Sequence, residues 1–384
     1  MKNNRTFLEK LLNGAEVEWK LLSLVSEMQR GKTITAKSTN EGKIPVISGG
    51  QKPAYYHSES NRDGKTITVA GSGAYAGYIM YWEEPIFVSD AFSIKTDESL
   101  LQIKYVYHFL LQNQQKIYAM KKGSGVPHVY PKDIGTLTIP IPPLSVQTEI
   151  VKILDALTAL TSELTSELIL RQKQYEYYRE KLLSFDSLEQ LNSGGGKKKL
   201  IDVAYFQNGK GHEKNIDENG SFIVINSKFI STNGTVKKYC NDQLVPLFKE
   251  DILIVMSDLP NGKALAKTFF VTEDNKYTLN QRIGRITVKE GGGLLPSFVN
   301  HFLNRNKQLT KYDNGTDQTN LRKDQILDVV IPIPPLEQQQ RIVSILDKFE
   351  TLTNSITEGL PLAIEQSQKR YEYYRELLLN FNNT

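Results

Sequence analysis

The amino-acid sequence repeats itself. The hexapeptide IPIPPL at residues 139–144 returns at residues 331–336, which is 192 residues later, and YEYYRE at residues 175–180 returns at residues 371–376, which is 196 residues later. An internal repeat constrains the fold strongly, because each copy must form an equivalent structural unit. We therefore expect two related units in one chain, with four extra residues in the second copy.

The two copies are alike in one part and different in another. Residues 146–160 match residues 338–352 at the constant offset of 192, so the insertion follows this segment. The regions upstream are only loosely related, although MQRGK at residues 28–32 resembles FQNGK at residues 206–210. A shared scaffold with two divergent regions predicts one structural role that is performed twice and two surfaces that differ.

The composition is that of a globular protein. The chain has 384 residues, 39% of them hydrophobic and 23% charged, which is enough for two domains that each bury a core. No run approaches the roughly 18 consecutive apolar residues of a membrane helix, so we expect a soluble intracellular protein. The single cysteine, Cys240, excludes an intramolecular disulfide and a thiolate metal cluster. The net charge of +4 is small, so any DNA affinity must come from local patches.

The first copy of the repeat contains a long amphipathic helix. From Ile150 to Phe185 the seam positions recur alternately every four and three residues, which is the period of a coiled coil. A helix over residues 144–185 would span about 63 Å. Such a helix needs a partner along most of its length.

The second copy supplies that partner. The same seam runs from Ile342 to Phe381, with one stutter at Leu360. Gly359 and Pro361 flank the stutter, and proline removes a helical hydrogen bond. We expect a kink or short break near residues 359–361.

The regions upstream of the helices are predicted to be mixed α/β. Alternating apolar residues and glycine-rich turns indicate strands at residues 65–70, 85–88, 92–95, 137–141, 222–225, 252–255, 282–288 and 329–333. Helical spacing is found over residues 101–118 and 295–309. The pairs Pro142-Pro143 and Pro334-Pro335 should end a strand and begin a long helix.

No catalytic motif is recognisable in the sequence. It lacks the phosphate-binding G-x-x-x-x-G-K-[ST] loop, the H-E-x-x-H zinc motif, a strand–G-x-G-x-x-G–helix and the [DN]-P-P-[YF] motif of amino-methyltransferases. The five histidines are scattered singly, so no metal site is expected. These absences predict that the chain is not an enzyme.

The divergent regions do carry polar and basic residues on glycine-rich loops. Lysine and arginine neutralise phosphates, and asparagine, glutamine and arginine read base edges. The candidate DNA-binding residues are Arg30, Lys32, Ser72, Tyr75, Ser124, His128 and Lys132 in the first region and Lys210, Asn261, Lys263, Asn280, Gln281, Arg282, Thr316, Asn320, Arg322 and Lys323 in the second. Many exposed residues of these types are simply solvated, so the set is a hypothesis.

The order of these features resembles the specificity (S) subunit of a type I restriction–modification system. A variable region, IPIPPL, a heptad helix with TSELTSEL (Thr161 to Leu168) and RQKQYEYYREKLL are followed by a second variable region and a second such helix. The resemblance covers essentially the whole chain. It implies an α+β fold in which two mixed α/β target recognition domains are separated by two long antiparallel coiled-coil helices, related by a pseudo-twofold repeat.

The resemblance also implies domain boundaries. The target recognition domains would occupy residues 1–143 and 200–335. The conserved spacer helices would occupy residues 144–190 and 336–384, with a linker at residues 191–199. In this family each recognition domain reads one half of a bipartite double-stranded DNA target in the major groove.

The partners follow from the same resemblance. The helices would dock two methyltransferase (M) subunits, which carry S-adenosylmethionine, and restriction/translocase (R) subunits, which use ATP and Mg, would join the complex. No cofactor is expected on this chain itself. A cytoplasmic location in a bacterium or archaeon is implied, without a membrane partner.

The repeated tyrosine-rich motif is predicted to serve two purposes. Tyr175, Tyr178, Tyr371 and Tyr374 lie on the helix seams and are interpreted as core residues whose hydroxyls reach the rim. Their off-seam neighbours are candidates for docking the methyltransferase, because tyrosine and arginine are common interface anchors. These candidates are Tyr177, Arg179, Tyr373 and Arg375.

Two alternatives remain open at the level of sequence. The chain is also compatible with a coiled-coil protein-interaction scaffold without DNA specificity. A fragment of a free-standing methylating restriction enzyme is less compatible, because the methyl-donor motifs are missing. A methyltransferase that co-purifies with the chain would separate these hypotheses.

Overall fold

The computed structural model describes residues 7–191, 196–212, 214–260, 262–355 and 357–381. The helices are α1 (Phe7–Leu12), α2 (Leu22–Val25), α3 (Ile103–Gln112), α4 (Gln114–Ala119), α5 (Pro131–Ile134), α6 (Leu144–Leu182), α7 (Phe185–Gln190), α8 (Leu200–Val203), α9 (Ser227–Ser231), α10 (Pro296–Leu303), α11 (Lys307–Thr310), α12 (Lys323–Leu327), α13 (Leu336–Asn354) and α14 (Gly359–Leu379). Ala36–Ser38 form a short 3₁₀ helix.

The strands in chain order are β1 (Glu18–Leu21), β2 (Ser26–Arg30), β3 (Ile44–Ile47), β4 (Tyr55–His57), β5 (Thr66–Ala70), β6 (Ile79–Trp82), β7 (Phe87–Val88), β8 (Ala91–Thr96), β9 (Thr138–Ile141), β10 (Lys197–Lys199), β11 (Ala204–Asn208), β12 (Phe222–Ile225), β13 (Tyr239–Cys240), β14 (Ile252–Val255), β15 (Ser257–Asp258), β16 (Thr268–Phe270), β17 (Tyr277–Leu279), β18 (Ile283–Val288), β19 (Thr319–Asn320) and β20 (Val330–Pro332). The predicted α+β fold class is confirmed.

The chain divides into two compact units that cut across the segments named from the sequence. The first unit is Met1–Thr165 with Ala363–Thr384, and the second is Ser166–Leu362. Each unit thus combines one upstream region with a part of α6 and a part of the C-terminal helices. The upstream domains and the helices are therefore not separate compact bodies.

The first unit is built on three sheets. Its largest sheet has the order β2-β8-β5-β6 and is antiparallel throughout. A second sheet has the order β4-β3-β7, with β3 and β7 parallel, and β1 pairs with β9. The strand β5 is fully buried along its length, so this sheet lies at the centre of the unit.

The second unit repeats this arrangement. Its largest sheet has the order β11-β18-β14-β16, a three-stranded sheet has the order β13-β12-β17, and β10 pairs with β20. In the first unit Ile94 pairs with Met28 and Ile67, and in the second unit Ile286 pairs with Phe206 and Ile252. The duplication therefore extends through the regions whose sequences are only loosely related, because strand pairing needs apolar character and not identity.

The helices begin where the proline pairs predict. The strand β9 ends at Ile141 and α6 begins at Leu144, while β20 ends at Pro332 and α13 begins at Leu336. With 39 residues, α6 is about 58 Å long. Its first turns pack into the core of the first unit through Val146, Ile150 and Leu154.

Within the first unit α6 and α14 run antiparallel. Thr161 on α6 is hydrogen-bonded to Ser367 on α14. Asp155, which precedes Thr161 on α6, and Tyr371, which follows Ser367 on α14, both contact His108. The two helices therefore have opposite directions. Leu378 at the end of α14 lies in the same core as Ile150. The coiled-coil packing of these helices stays a prediction.

The second long helix is interrupted. The helix α13 ends at Asn354 and α14 begins at Gly359, which has a φ of +81°. The break predicted near residues 359–361 is therefore confirmed, although it precedes Gly359. Pro361 lies in the first turn of α14, where its missing N–H costs no helical hydrogen bond. The seam residue Ile356 lies outside the described residues.

Two local predictions need correction. The first long helix ends at Leu182 and not at Phe185, which instead begins the short helix α7. The linker proposed at residues 191–199 has structure at its end, because Lys197–Lys199 form β10 against β20. Lysines are compatible with an exposed edge strand, where they discourage pairing with other chains. Residues 192–195 of that linker lie outside the described residues.

Candidate nucleic-acid interface

The similar motifs MQRGK (residues 28–32) and FQNGK (residues 206–210) form the same turn in both units. The N–H of Gly31 donates to the carbonyl of Ala91 at 2.8 Å, and the N–H of Gly209 donates to the carbonyl of Ile283 at 3.1 Å. A Cβ on Gly31 would collide with the backbone of Ser89, so only glycine fits this close approach. The glycine is needed because two backbone segments cross at this point.

The turn presents one lysine in each unit. The N–H of Lys32 donates to the carbonyl of Val88, and the N–H of Lys210 donates to the carbonyl of Leu279. Both side chains are exposed. The two lysines therefore have a fixed backbone and a free ammonium group, which suits a contact with a phosphate.

A basic and aromatic cluster follows this turn in the first unit. The guanidinium carbon of Arg30 lies 5.3 Å from the ring centre of Tyr130, and the ammonium nitrogen of Lys132 lies 5.8 Å from it. His128 stacks on the same ring, with centres 6.0 Å apart and planes inclined by 18°. Arg30, His128 and Tyr130 line a cavity of about 130 Å³. The structure thus brings together three of the candidates around Tyr130, which the sequence did not single out.

Ser72 belongs to the same neighbourhood. It forms a β-bridge with His128, and its hydroxyl is hydrogen-bonded to the carboxylate of Asp90. Asp90 also lines the cavity and is a potential acceptor for the exocyclic amine of a cytosine or adenine. Tyr75 and Ser124 are exposed on the adjacent turns, without a described contact to Tyr130.

In the second unit a strand pair takes the place of the bridge between Ser72 and His128. Asn320 pairs with Ser257 in the β15–β19 ladder, and its side chain is exposed. The ammonium nitrogen of Lys323 lies 6.0 Å from the ring centre of Phe206, and Arg322 forms an ion pair with Asp324 at 3.3 Å. The second unit therefore offers a different set of polar groups on an equivalent scaffold.

Asn280 and Arg282 lie next to the lysine turn of the second unit. Asn280 forms a β-bridge with Lys210, and its side-chain oxygen accepts the N–H of His212 at 3.2 Å. Arg282 has a φ of +66° and an exposed side chain. Gln281 and Thr316 are also exposed. The side-chain oxygen of Asn280 is thus already hydrogen-bonded within its own unit.

The loop that follows β15 is organised by one carboxylate. Asp258 accepts the N–H groups of Leu259, Ala264 and Leu265 at 2.9, 2.7 and 3.1 Å. Lys263 lies exposed on this loop, and Asn261 falls outside the described residues. The sequence did not identify Asp258, because an aspartate before a Pro-Asn-Gly turn is common in any loop.

The docking candidates separate into two kinds. Tyr177 and Tyr373 are 60% and 62% exposed, and they stack edge-on against Tyr178 and Tyr374. Arg179 instead donates to the carbonyls of His301 and Asn304 in its own unit. Arg375 lies over the ring of Tyr371 at 5.1 Å, which leaves the two tyrosines as the exposed docking candidates.

The seam tyrosines also separate. Tyr175 and Tyr371 pack against the cores of their units, as predicted. Tyr178 and Tyr374 are 42% and 40% exposed, so the core interpretation is wrong for them. Within its own unit Tyr178 packs against Tyr177 and Phe349, and Tyr374 packs against Tyr373.

One histidine is less isolated than the sequence suggested. His301, which is buried, lies beside Asp347 and Glu350, and the ligand-type atoms of the three residues lie within 4.8 Å of one another. The Nε2 atom of His301 is 2.7 Å from a carboxylate oxygen of Asp347. This contact is a hydrogen bond between α10 and α13.

Comparisons with known proteins agree on one family. The model of the type I restriction modification DNA specificity domain matches residues 16–171 and 192–366. The chain is 40% identical over 401 residues to a protein of Haemophilus influenzae named as a type I restriction enzyme specificity subunit, with both chains covered completely. It is 30% identical over 417 residues to the EcoR124I/EcoR124II specificity subunit of Escherichia coli, which covers 98% of this chain and 97% of that protein.

A solved structure shows the same fold. The S subunit of a type I restriction–modification system from M. genitalium superposes with a TM-score of 0.61 and 19% identity, over 96% of both chains. None of the helices in the described part of the chain is both long and apolar enough to cross a membrane. The two family domains coincide with the two copies of the internal repeat, and the chain therefore belongs to the type I restriction–modification specificity subunits, as a non-catalytic DNA-recognition subunit.

Proposed function

We propose that this chain reads a bipartite double-stranded DNA target, with one half-site for each unit. The target recognition domains are residues 1–143 and 200–335. The helices at residues 144–190 and 336–384 set the distance between the half-sites, and residues 191–199, of which the last three form β10, link the two halves of the chain. Dimeric DNA-binding proteins impose a half-site spacing in the same way.

The observation that carries this proposal is the contrast around the repeated turn. Lys32 and Lys210 are the same residue at equivalent positions, as expected for contacts to the phosphate backbone, which is the same in every sequence. Arg30 and His128 in the first unit align with Asn208 and Asn320 in the second. The lysine is the same in both units, whereas the neighbouring polar side chains differ. This contrast supports two recognition domains that make the same contact to the DNA backbone and prefer different bases.

The partner proteins are proposed from the membership of the chain in the specificity-subunit family. The exposed surfaces at Tyr177 in the second unit and at Tyr373 in the first would dock two methyltransferase subunits, which bring S-adenosylmethionine. Restriction/translocase subunits, which use ATP and Mg, would join that complex. We propose that the assembly works in the cytoplasm of a bacterium or archaeon, and that this chain itself holds no cofactor.

A genome-wide map of adenine methylation tests the proposal. The map is measured in the source cell with and without this gene. Loss of a single bipartite motif on deletion is the expected result, and it also gives both half-sites and the spacer. An unchanged map, together with no DNA binding by the chain and its co-purifying partners, would favour the protein-interaction scaffold.

A further inference from the structure

A buried glutamine ties the first long helix to its recognition domain. The side chain of Gln147, in the first turn of α6, is fully buried. Its amide nitrogen donates to the carbonyls of Leu100 and Pro142 at 3.1 and 2.8 Å, and its amide oxygen accepts the N–H of Gln102 at 2.9 Å. The glutamine thus joins the start of α6, the proline turn and the segment that leads into α3.

The second unit contains the same arrangement. Gln339, 192 residues after Gln147, is also fully buried in the first turn of α13. Its amide nitrogen donates to the carbonyls of Gly293 and Pro334 at 2.7 and 2.8 Å, and its oxygen accepts the N–H of Leu295 at 2.8 Å. Because every hydrogen bond of the first glutamine has a counterpart, we name both sites the glutamine clamps.

A second polar contact lies further along the same helix in the first unit. His108 on α3 is 1% exposed, and its Nε2 atom lies 2.9 Å from a carboxylate oxygen of Asp155 on α6. Its Nδ1 atom lies 3.0 Å from the hydroxyl of Tyr371 on α14. Lys104 on α3 donates to the other oxygen of Asp155 at 2.9 Å. One buried histidine therefore connects the recognition domain to both long helices.

The second unit has a related arrangement that is not identical. His301 on α10 contacts Asp347 on α13, and Tyr175 on α6 approaches as Tyr371 does in the first unit. The hydroxyl of Tyr175 donates to Glu350 at 2.6 Å, and the carboxylate of Glu350 lies 3.8 Å from the Nδ1 atom of His301. We name the sites of His108 and His301 the histidine clamps.

We propose that the glutamine and histidine clamps are positioning sites, which fix the rotation of each recognition domain about the long helices and so the phase of each half-site. Gln147 and Asp155 are eight residues apart on α6, which separates the two contacts by about 12 Å along the helix. Two separate fixed points prevent both sliding and rotation of the domain. This inference rests on the proposed function.

Polar contacts suit this purpose better than apolar packing does. An apolar interface tolerates small shifts, because its attraction has no direction. In the glutamine clamps and the clamp of His108 the buried side chains are hydrogen-bonded, so any shift leaves a buried donor or acceptor without a partner. In the clamp of His301 the Nδ1 atom has no such partner, and the hydrogen bond to Asp347 carries the contact. The glutamine clamp has the same hydrogen bonds in two units with divergent recognition surfaces, which supports a role in placement and not in reading bases.

Spacer tolerance tests the proposal. The complex of the full chain with its methyltransferase is given a library of the bipartite target in which the spacer varies by one and two base pairs. The unmodified chain is expected to accept one spacer length. The double variant Gln147→Met and Tyr371→Phe removes a hydrogen-bonding group from each clamp of the first unit, and we expect methylation at spacers changed by one base pair to rise at least about tenfold relative to the native spacer. The half-site sequences should stay the same.

Three further variants accompany the double variant. Val69→Ala, in the fully buried strand β5, lowers stability without touching a clamp and should leave the accepted spacer unchanged. Tyr371→Phe alone removes one hydroxyl and keeps the ring, so it serves if the double variant does not fold. The matched change in the second unit is Gln339→Met with Tyr175→Phe.

Two outcomes would overturn the inference. Folded clamp variants that accept only the native spacer show that the clamps stabilise the units without setting the phase. A changed half-site sequence at an unchanged spacer assigns the clamps to base recognition. If the unmodified complex recognises no bipartite target at all, the proposed function itself fails, which is a different result from either of these.

Discussion

Gly31 and Gly209 occupy the same place in the two units, 178 residues apart, and in each unit the backbone of a neighbouring segment passes directly against the α-carbon. A Cβ on Gly31 would collide with the carbonyl oxygen of Ser89, and a Cβ on Gly209 would collide with the carbonyl oxygen of Asn280. Backbone atoms cannot move aside as the end of a side chain does. The glycine is therefore a requirement of the fold on which the neighbouring lysine depends.

The first prediction concerns this close approach. Gly31→Ala should destabilise the first unit by about 1–3 kcal/mol, and Gly209→Ala should do the same for the second, because overpacking forces backbone shifts. Differential scanning calorimetry of the full chain measures the effect. Gly125→Ala is the control, since a Cβ at Gly125 has no neighbour within 4 Å. Equal melting of all three variants and the unmodified chain would contradict the prediction.

The second prediction concerns the lysines that follow these glycines. Lys32→Ala and Lys210→Ala should each weaken DNA binding by a similar factor for specific and unrelated sequences. Each should reduce the slope of log affinity against log salt by about one, because one phosphate contact is lost. Binding of the assembled complex is measured at several salt concentrations.

The control for the lysine variants lies on the long helix. Lys152 is exposed on α6, and Lys152→Ala should leave the salt slope unchanged. A changed preference at one base position, with an unchanged slope, would mean that the lysine reads a base and does not contact a phosphate.

The sequence predicts the scaffold well because its elements depend on local patterns. The strand predicted at residues 252–255 has the same bounds as β14. Both proline pairs lie between the end of a strand and the start of a long helix. The paired units follow directly from the repeat. Alternating apolar residues and prolines act within a few positions of the chain, so their effect is visible in the sequence.

The interface is predicted less well because it depends on distant contacts. Tyr130 joins the basic cluster only because β2 brings Arg30, a hundred residues away in sequence, next to its ring. Arg179 resembles an exposed anchor by its position on the helix, but it turns to backbone carbonyls supplied by α10 and its C-terminal end. The residue spacing within α6 cannot predict a contact with a segment that lies more than a hundred residues away in sequence.

The third prediction concerns the exposed tyrosines of the repeated motif. Tyr177→Ala with Tyr373→Ala should weaken binding of the methyltransferase by about 2 kcal/mol or more at each site, since exposed aromatic side chains are typical interface anchors. Each single variant should lose one of two bound subunits. Mass photometry of the mixed components measures the number of subunits per chain.

Stability provides the control for that prediction. Tyr177 and Tyr373 are mostly exposed, so the double variant should melt at the temperature of the unmodified chain. Full assembly by the double variant would show that the methyltransferase docks elsewhere on the chain.

The fourth prediction concerns pH. Burial alone would raise the pKa of Asp155, but hydrogen bonds with His108 and Lys104 outweigh burial and hold the pKa below its ordinary value. A carboxylate with a lower pKa in the folded than in the unfolded state stabilises the fold above the unfolded pKa, and this contribution is lost as pH falls through the folded pKa. Asp155 should therefore stabilise the first unit at neutral pH and contribute nothing in strong acid.

The variant Asp155→Asn checks the sign. At pH 7 it should lower the stability of the first unit by about 1–2 kcal/mol, because it replaces a charged hydrogen-bond acceptor. The difference from the unmodified chain should shrink as pH falls below about 4. Glu163→Gln, at an exposed position of α6, should show no such dependence. A difference that grows towards acid pH would reverse the sign and contradict the prediction.

The fifth prediction concerns the length of α6. The tetrapeptide TSEL occurs twice in succession, at residues 161–164 and 165–168, inside this uninterrupted helix. A third copy would lengthen the helix by about 6 Å and add about 40° of rotation beyond one turn. Six ångströms is close to the rise of two base pairs at about 3.4 Å each. We expect the inserted chain to recognise the same half-sites at a longer spacer.

The methylation motif of cells that carry the insertion measures this spacer. A chain in which residues 165–168 are replaced by another helix-forming tetrapeptide that keeps Leu168 preserves the length, and it should keep the native spacer. An unchanged spacer in the insertion variant, with methylation intact, would mean that α6 does not set the distance between half-sites. A longer spacer in the insertion variant alone would assign the spacing to helix length, because composition is altered in both chains and length in only one.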